Sequence, residues 1–355
     1  MNVLITSIGR RAYLAEFFRE ALGPEDGLFA SDSNRHAPSL GLFDRAFLVP
    51  LATETGYVEA LRTVCSDHQV DIIVPINDSE LPILARERAA FEEAGTRIVI
   101  SSPEVVEICA DKFRTHEFLL RNGILTPATF VSLEEAEAAL ERGEVAFPLL
   151  VKPRRGSASL GIVKVEDLTQ LRQEWNLDRR DGDMVQEFLG TDHLSLHIFS
   201  NAEGAPDAVI GLRVLYKTRG ECYKAETIDD PSLDRLGHEL AAHLRVVGPW
   251  CVDVMAVNGR LVVLEINPRL GGGYPVSHFA GADFPKRILA LATGRPPDPP
   301  LDGHQPGVTM LKQYTASMGE NGWEEDRLTS YGVESVAQHR ERHVRNGHNR
   351  AGAAG

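Results

Sequence analysis

Through the first hundred residues, short apolar runs alternate with longer stretches in which apolar positions recur every three or four residues. The runs are "NVLITS", "GLFASD", "RAFLVP", "DIIVPIND" and "RIVIS"; the helical stretches include "RRAYLAEFFREAL", "YVEALRTVCSDHQ" and "ELPILARERAAFEEAG". Strands alternating with helices predict a parallel sheet covered on both faces, an α/β domain over residues 1–100. Ligands of such sheets gather where the strands end. Those ends carry Ser7, Gly9 and Arg10, then Ser31 and Asp32, then Asn77, Asp78 and Glu80. Helix capping and loop chemistry account for the same residue types as readily as a ligand does.

Ser101 or Ser102 ahead of Pro103 predicts a helix entry, and Asp111 predicts the cap of a second helix, "KFRTHEFLLRNG", ended by Gly123. Lys112 then stands in a first turn, where the helix dipole does nothing for a cation. From Phe147 the pattern changes to paired strands and loops with a helix near "LTQLRQEW", an α+β arrangement. The expected division is one lobe over 101–185, a larger one over 186–318, and a partly flexible extension over 319–355. "GVTMLKQYTAS" reads as a strand returning to the body. His339 and His343 are one helical turn apart, but no third ligand accompanies them, so they are not read as a metal site.

Composition narrows the function classes. The 355 residues are 43% hydrophobic and 25% charged, as in an ordinary globular protein, and the length suggests two or three lobes. A net charge of -14 argues against a general nucleic-acid or anionic-membrane binder, so an anionic ligand must be met by locally gathered Lys and Arg. Cys65, Cys109, Cys222 and Cys251 form no metal-like or redox-like pairs, which fits a reducing cytoplasm. The start, "MNVLITSIGRRAYLAEFF", has its arginines after the apolar run, the wrong order for a signal peptide, and no stretch has the length of a membrane span.

Three segments carry candidate chemistry. "LLVKPRRGSASLGIVKV" is either a hairpin with a flexible tip or a phosphate cradle, in which small residues admit anionic oxygens to backbone N–H groups and Lys152, Arg154 and Arg155 add charge. It is not a P-loop, because no Gly-Lys-Ser/Thr opens a helix. "DMVQEFLGTDHLSLHIF" leads an apolar strand into Gln186, Glu187, Phe188 and Leu189, with Asp192 shortly after. An extended connection of this kind suits a flat heterocycle and its ribose. In "WCVDVMAVNGRLVVLEINPRLGGGYPVS", strand alternation puts Glu265 and Asn267 on one face, two oxygen donors of the type magnesium prefers. A two-residue Asn258-Gly259 turn would pair Asp253 with Leu264 and leave Asp253 on the opposite face. A three-residue connection with a glycine bulge would bring it to the Glu265 face, and that is the hairpin this reading expects.

In this order, "DK" before a helix ending "NGILTP", "LLVKP" with its small-residue loop, "VQEFLG" and "LEINPRLGGG" resemble the ATP-grasp superfamily, in particular the branch of the carbamoyl-phosphate synthase large subunit. The set spans roughly Met1 to Met318, and "TSIGRR" and "PINDSE" look like the Rossmann-like domain that precedes the ATP-grasp fold in that branch. The resemblance implies that Lys112 and Lys152 hold ATP phosphates while Arg155, Gly156, Ser157, Ser159 and Gly161 fold over them. It implies that Glu187 and Leu189 contact the adenine and Asp192 the ribose, with Gln186 and Phe188 also in the nucleotide site, and that Asp253, Glu265 and Asn267 hold magnesium, or manganese in its stead. Arg269 would face the transferred phosphoryl group. Two residues depart from the pattern: His197 stands where many relatives carry an acid, and Asp253 where the branch often has glutamine.

The implied chemistry is a carboxylate made electrophilic by phosphorylation and then attacked by an amine, with Arg269, Lys152 and Arg213 as the catalytic candidates. The expected activity is an ATP-dependent carboxylate–amine ligase acting on small molecules, amino acids among them, with no nucleic-acid or membrane partner and with a homodimer left open. Bicarbonate activation and a non-catalytic ATP-binding regulator are the alternatives.

Overall fold

The computed structural model describes residues 1–157, 159–176, 182–218, 220–295, 299–301, 303–313 and 328–331. His339 and His343 lie outside these residues. The chain divides into two units: one of residues 1–75, 87–98 and 316–355, the other of residues 76–86 and 99–315. In chain order the elements begin β1 (Asn2–Thr6), α1 (Tyr13–Ala21), β2 (Gly27–Asp32), β3 (Arg45–Leu48), α2 (Tyr57–His68), β4 (Ile72–Pro75), α3 (Leu81–Glu93) and β5 (Arg97–Ile98). Then follow α4 (Pro103–Ala110), α5 (Lys112–Arg121), β6 (Thr129–Phe130), α6 (Leu133–Glu141), β7 (Leu149–Pro153), β8 (Val163–Val165), α7 (Leu168–Asn176) and β9 (Asp183–Glu187). The chain continues through β10 (His193–Ser200), β11 (Pro206–Thr218), β12 (Glu221–Ile228), α8 (Pro231–Leu244), β13 (Gly248–Val257) and β14 (Arg260–Asn267). It closes with α9 (Tyr274–Phe279), α10 (Phe284–Thr293), β15 (Thr309–Leu311) and β16 (Leu328–Ser330). No helix of the described residues is long and apolar enough to cross a membrane.

The first unit contains the expected parallel sheet, in the order β16-β3-β2-β1-β4-β5. Its inner strands are buried almost residue by residue, as a sheet covered on both faces requires. One strand was not expected there. Leu328–Ser330, in the predicted extension, pairs with β3, and the Tyr331 hydroxyl reaches both His68 Nε2 and Asp67 Oδ2 at 3.0 Å. This strand covers what would otherwise be an open edge. Asp32 is spent on loop geometry, accepting from the Gly9 and Asn34 N–H groups at 2.7 and 2.8 Å.

The second unit has two antiparallel sheets. The larger runs β14-β13-β10-β11-β12-β15, and the smaller β6-β9-β7-β8. On β10, Leu194, Leu196 and Ile198 point into a core shared with Leu233, Leu240 and Leu244 of α8, while Ser195 and His197 point to the other face. Val105, Cys109 and Leu119 of α4 and α5 join that same core. The two helices therefore belong with the larger sheet, not with the 101–185 lobe, and β9 crosses the expected boundary after residue 185. The smaller sheet has its own core with Ala136, Ala139 and Leu171 of α6 and α7. Both helix entries are as expected: Ser102 Oγ accepts from Val105 N, and Asp111 Oδ1 accepts from Phe113 N and Arg114 N.

The β13–β14 hairpin corrects the expected turn but keeps its consequence. Val257 pairs with Arg260 across a two-residue turn, with Asn258 at φ 51° and Gly259 at φ 75°. That is the left-handed pair of a type I′ turn, not a three-residue connection. The register then slips between Val254, opposite Val263, and Asp253, opposite Glu265, so that Leu264 is the extra residue of a bulge. The bulge changes the parity, and Asp253 faces Glu265 directly. A Cβ at Gly259 would meet nothing within 4 Å. Gly259→Val should therefore lower the stability of this unit through backbone strain alone, by about 1–2 kcal/mol, read as an earlier urea midpoint; an unchanged midpoint would contradict this turn.

Candidate active site

One face of the larger sheet gathers Ser195 and His197 of β10, Cys251 and Asp253 of β13, and Glu265 and Asn267 of β14. The register sets Asp253 between Ser195 and Glu265, and Cys251 between His197 and Asn267. Asp253 Oδ2 is 2.7 Å from Lys217 Nζ. Burial pushes the Asp253 carboxyl up, but the Lys217 ammonium outweighs it and holds the group below the usual carboxylate range. Glu265 Oε1 lies 3.9 Å from Lys112 Nζ. Among the described residues no three His, Cys, Asp or Glu side chains form a closed metal cage. The donors nonetheless suit magnesium, which binds few protein oxygens and completes its shell with water and phosphate. Glu265 and Asn267 meet their cations loosely, Lys112 Nζ at 3.9 Å and Arg269 NH2 at 3.3 Å, whereas Asp253 is held by Lys217 at 2.7 Å.

Arg269 follows this face. Its NH2 donates to Asp78 Oδ2 at 2.8 Å and to Asn267 Oδ1 at 3.3 Å, and its NH1 to Leu270 O at 3.2 Å. Nε has no partner among the described residues. Asp78 thus holds a guanidinium beside Asn267, while the neighbouring Glu80 caps its own loop, accepting from Ile76 N and Asn77 N at 2.9 Å.

The two expected phosphate lysines are differently held. Lys112 Nζ donates to Gly156 O at 2.6 Å, and its backbone N–H to Arg154 O at 2.9 Å, so the β7–β8 loop rests on the first turn of α5. Lys152 Nζ is buried and donates to Gln186 Oε1 at 2.6 Å; Gln186 in turn donates to Thr129 Oγ1 at 2.9 Å. Burial pushes the Lys152 ammonium down to about 8, against the pull of Glu265. Two loop cations are not free in the way the sequence suggested. Arg154 grips Asp111 through Nε and NH2 at 3.1 and 2.7 Å, and Arg155 NH2 pairs with Glu107 at 2.8 Å. Gly156, Ser159 and Gly161 are all left-handed, with φ of 120°, 56° and 75°, which curls the loop tightly. Ser157 lies on the same curl.

The 186–192 segment also differs in detail. The Gln186 side chain is engaged by Lys152 and Thr129. Glu187 is tied to Ala128 at both ends, its N–H donating to Ala128 O at 2.9 Å and its Oε2 accepting from Ala128 N at 3.2 Å. The Phe188 ring lies 4.9 Å under Lys164 Nζ. Leu189 follows the end of β9, and Asp192 is exposed.

Arg213 is the clearest correction. It pairs with Leu194, a core residue, across β10 and with Glu226 across β12, and its NH1 donates to Glu226 Oε1 at 2.8 Å. It therefore lies on the sheet face opposite Asp253, in an exposed ion pair. The site cation of that strand is Lys217. Its even spacing from Arg213 suggests the same face, but the register slips between Val214 and Tyr216, leaving Leu215 over, and the parity flips. His197 was noted only as a departure. Its Nδ1 is 2.7 Å from Ser277 Oγ, and burial pushes the imidazole down to about 4, so the ring is neutral at pH 7. Glu221, bound to Lys312 at 2.7 Å, completes the surroundings of the glycine loop.

Two family profiles match the chain: a PylC-like N-terminal domain over residues 3–99 and an ATP-grasp domain over residues 109–273. A carbamoyl-phosphate synthase of Methanobrevibacter smithii is 22% identical over 281 residues, 75% of this chain and 74% of that protein. Against longer carbamoyl phosphate synthase large chains the match spans only 26% and 28% of their length. Among solved structures, the biotin carboxylase domain of Hydrogenobacter thermophilus 2-oxoglutarate carboxylase, solved with magnesium ADP and bicarbonate, matches with TM-score 0.66 and 17% identity, covering 82% of this chain and 69% of that one. An L-amino acid ligase from Bacillus licheniformis matches with TM-score 0.62 and 18% identity, over 83% and 75% of the two chains.

The Lys152 environment has a titration signature. Its folded pKa of about 8 lies below the ordinary 10.5, so the unfolded chain binds the proton more tightly between those values. The penalty for burying the charge is present below pH 8 and is relieved as the pH rises toward 10.5. The stability of the native chain relative to Lys152→Met should accordingly rise over that range by a few kcal/mol, each pKa unit being worth about 1.4 kcal/mol. A difference that stays flat with pH would contradict the burial.

Proposed function

We propose that this chain, which carries an ATP-grasp domain behind a PylC-like N-terminal domain, is an ATP-dependent ligase joining a small carboxylate to an amine. The observation that carries this reading is Lys152. Its buried ammonium has an amide for a partner and no carboxylate ion pair among the described residues, within the electrostatic reach of Lys112 and Glu265. A charge left in that condition is best compensated by an anionic ligand, and a nucleotide phosphate chain fits the adjoining loop.

In the reaction proposed, a carboxylate oxygen attacks the γ-phosphorus of ATP, the bond to the β-phosphate oxygen breaks, and ADP leaves. The resulting acyl phosphate is attacked at its carbonyl carbon by an amine, and phosphate departs with the electron pair of the broken C–O bond. Lys112 and Lys152 neutralise charge on the phosphates, Arg269 steadies the transferred group, and Lys217 stands ready for a substrate anion. Magnesium held by Glu265 and Asn267 would draw charge from the phosphate oxygens. The loop bearing Gly156, Ser159 and Gly161 would keep water from the acyl phosphate. An amino acid as one substrate fits a site in which Lys217 with Asp253, Arg269 with Asp78, and Lys312 with Glu221 each offer both charges.

Similarity to carbamoyl-phosphate synthase favours one rival, the activation of bicarbonate. A matrix of carboxylates against amines, read by ADP, phosphate and product mass, tests both. Turnover requiring one carboxylic acid and one amine supports ligation; ADP release that follows bicarbonate alone supports the rival, and nucleotide binding with no turnover in any combination would leave a passive binder. With the active pair, Glu265→Ala should lose at least ~100-fold in turnover, the range seen when a charge-stabilising group is removed, with the melting midpoint unchanged. Near-native turnover would rule Glu265 out of the metal site.

A further inference from the structure

Gly271, Gly272 and Gly273 carry the chain from Arg269 back across the sheet face to α9. His197 lies directly beneath them, 4% exposed. One edge of its ring is fixed by Ser277 of α9, with Nδ1 2.7 Å from Oγ. The other edge is pressed against the loop. A Cβ at Gly271 would stand 2.9 Å from His197 Nε2, and a Cβ at Gly273 would stand 3.2 Å from Cε1. A Cβ at Gly271 could not be placed without a shift, all the more because Cys251 Sγ would stand 3.2 Å from it, and a Cβ at Gly273 would make the ring give by a few tenths of an ångström, so the loop lies close over the imidazole. On its other side Gly272 is bounded by Glu221, whose Cγ would be 3.5 Å from a Cβ there.

We infer that His197 is a positioning residue: its imidazole is the post that sets the height of the Gly271–Gly273 loop above β10 and β13, and through the loop the seat of Arg269 and the wall of the substrate pocket. The inference rests on the reading of this face as the phosphoryl-transfer site. At Gly271 and Gly273 the imidazole takes up space a Cβ would need, and Ser277 fixes the ring there through Nδ1.

The variants His197→Asn and His197→Gln separate this role from general packing. Asparagine keeps a polar atom close to the Nδ1 position, within reach of Ser277, but withdraws the edge beneath Gly271; glutamine extends a polar group toward the Nε2 position. Backbone hydrogen exchange over residues 270–274 of the full chain, with ADP and magnesium present, should quicken roughly tenfold or more in His197→Asn and stay within about threefold of native in His197→Gln. With the substrate pair found in the matrix screen, KM for the carboxylate or amine should rise by a similar factor in His197→Asn while KM for ATP does not move. Ser277→Ala, which frees the ring without touching the loop, should lie between the two. Equal exchange in the asparagine variant and the native chain would overturn the inference, as would a glutamine variant as impaired as asparagine. The exchange result needs no turnover, so a failed ligase reading would show as a loop effect with no substrate pair, distinct from an absent loop effect.

Discussion

Charge balance in a place with little water is the constraint on which the site depends. Lys217, Arg269 and Lys112 each have a carboxylate near them, in Asp253, Asp78 and Glu265, at 2.7, 2.8 and 3.9 Å. Lys152 has, among the described residues, the Gln186 amide oxygen as its hydrogen-bond partner and no carboxylate ion pair, and burial lowers its proton affinity against the pull of Glu265. A site of this kind stores an unmet demand for negative charge. Phosphate oxygens brought beside Lys152 would raise its proton affinity again and take up the demand, which links ligand binding to protonation at one atom.

The rest of the framework serves that arrangement. Asp111 caps α5 and also grips Arg154, so the strand bearing Lys152 and the helix bearing Lys112 are joined one residue from Lys112 and two from Lys152. Burial opposes the ionised form of Asp111, while Arg154 and the helix N–H groups outweigh it and hold the carboxyl low. Lys112 closes the contact from the other side through Gly156 O. The loop is therefore anchored at its base, and its left-handed residues lie beyond the anchor. On the sheet, two bulges do comparable service: Leu264 turns Asp253 toward Glu265, and Leu215 turns Lys217 toward Asp253.

Much of this was legible in the sequence because it depends on local rules. Ser102 before Pro103 and Asp111 before Lys112 are capping signals that act over three residues, and both helices begin where those signals put them. The alternation of the first hundred residues was enough for a parallel sheet. The parity of Asp253 was foreseen for the wrong reason, because Asn-Gly serves a two-residue turn and a longer one alike, and no residue type marks Leu264 as the bulge. Lys217 has no signal of its own in the sequence, because a strand read without its bulge puts it on the same face as Arg213. The Arg154–Asp111 clasp joins residues 43 apart and has no local signature. Leu328–Ser330 is too short for any periodicity, so its addition to the first sheet could only come from tertiary structure.

The central claim is that the site formed by Lys152, Glu265 and Arg269 activates a carboxylate at the γ-phosphoryl group. The most direct measurement uses the active acid labelled with oxygen-18 in its carboxyl group, with nucleotide and phosphate products analysed by mass. The account predicts ADP and phosphate bearing one labelled oxygen, because the amine breaks the bond between the acyl carbon and the oxygen that came from the acid. AMP carrying the label, released with pyrophosphate, would contradict it.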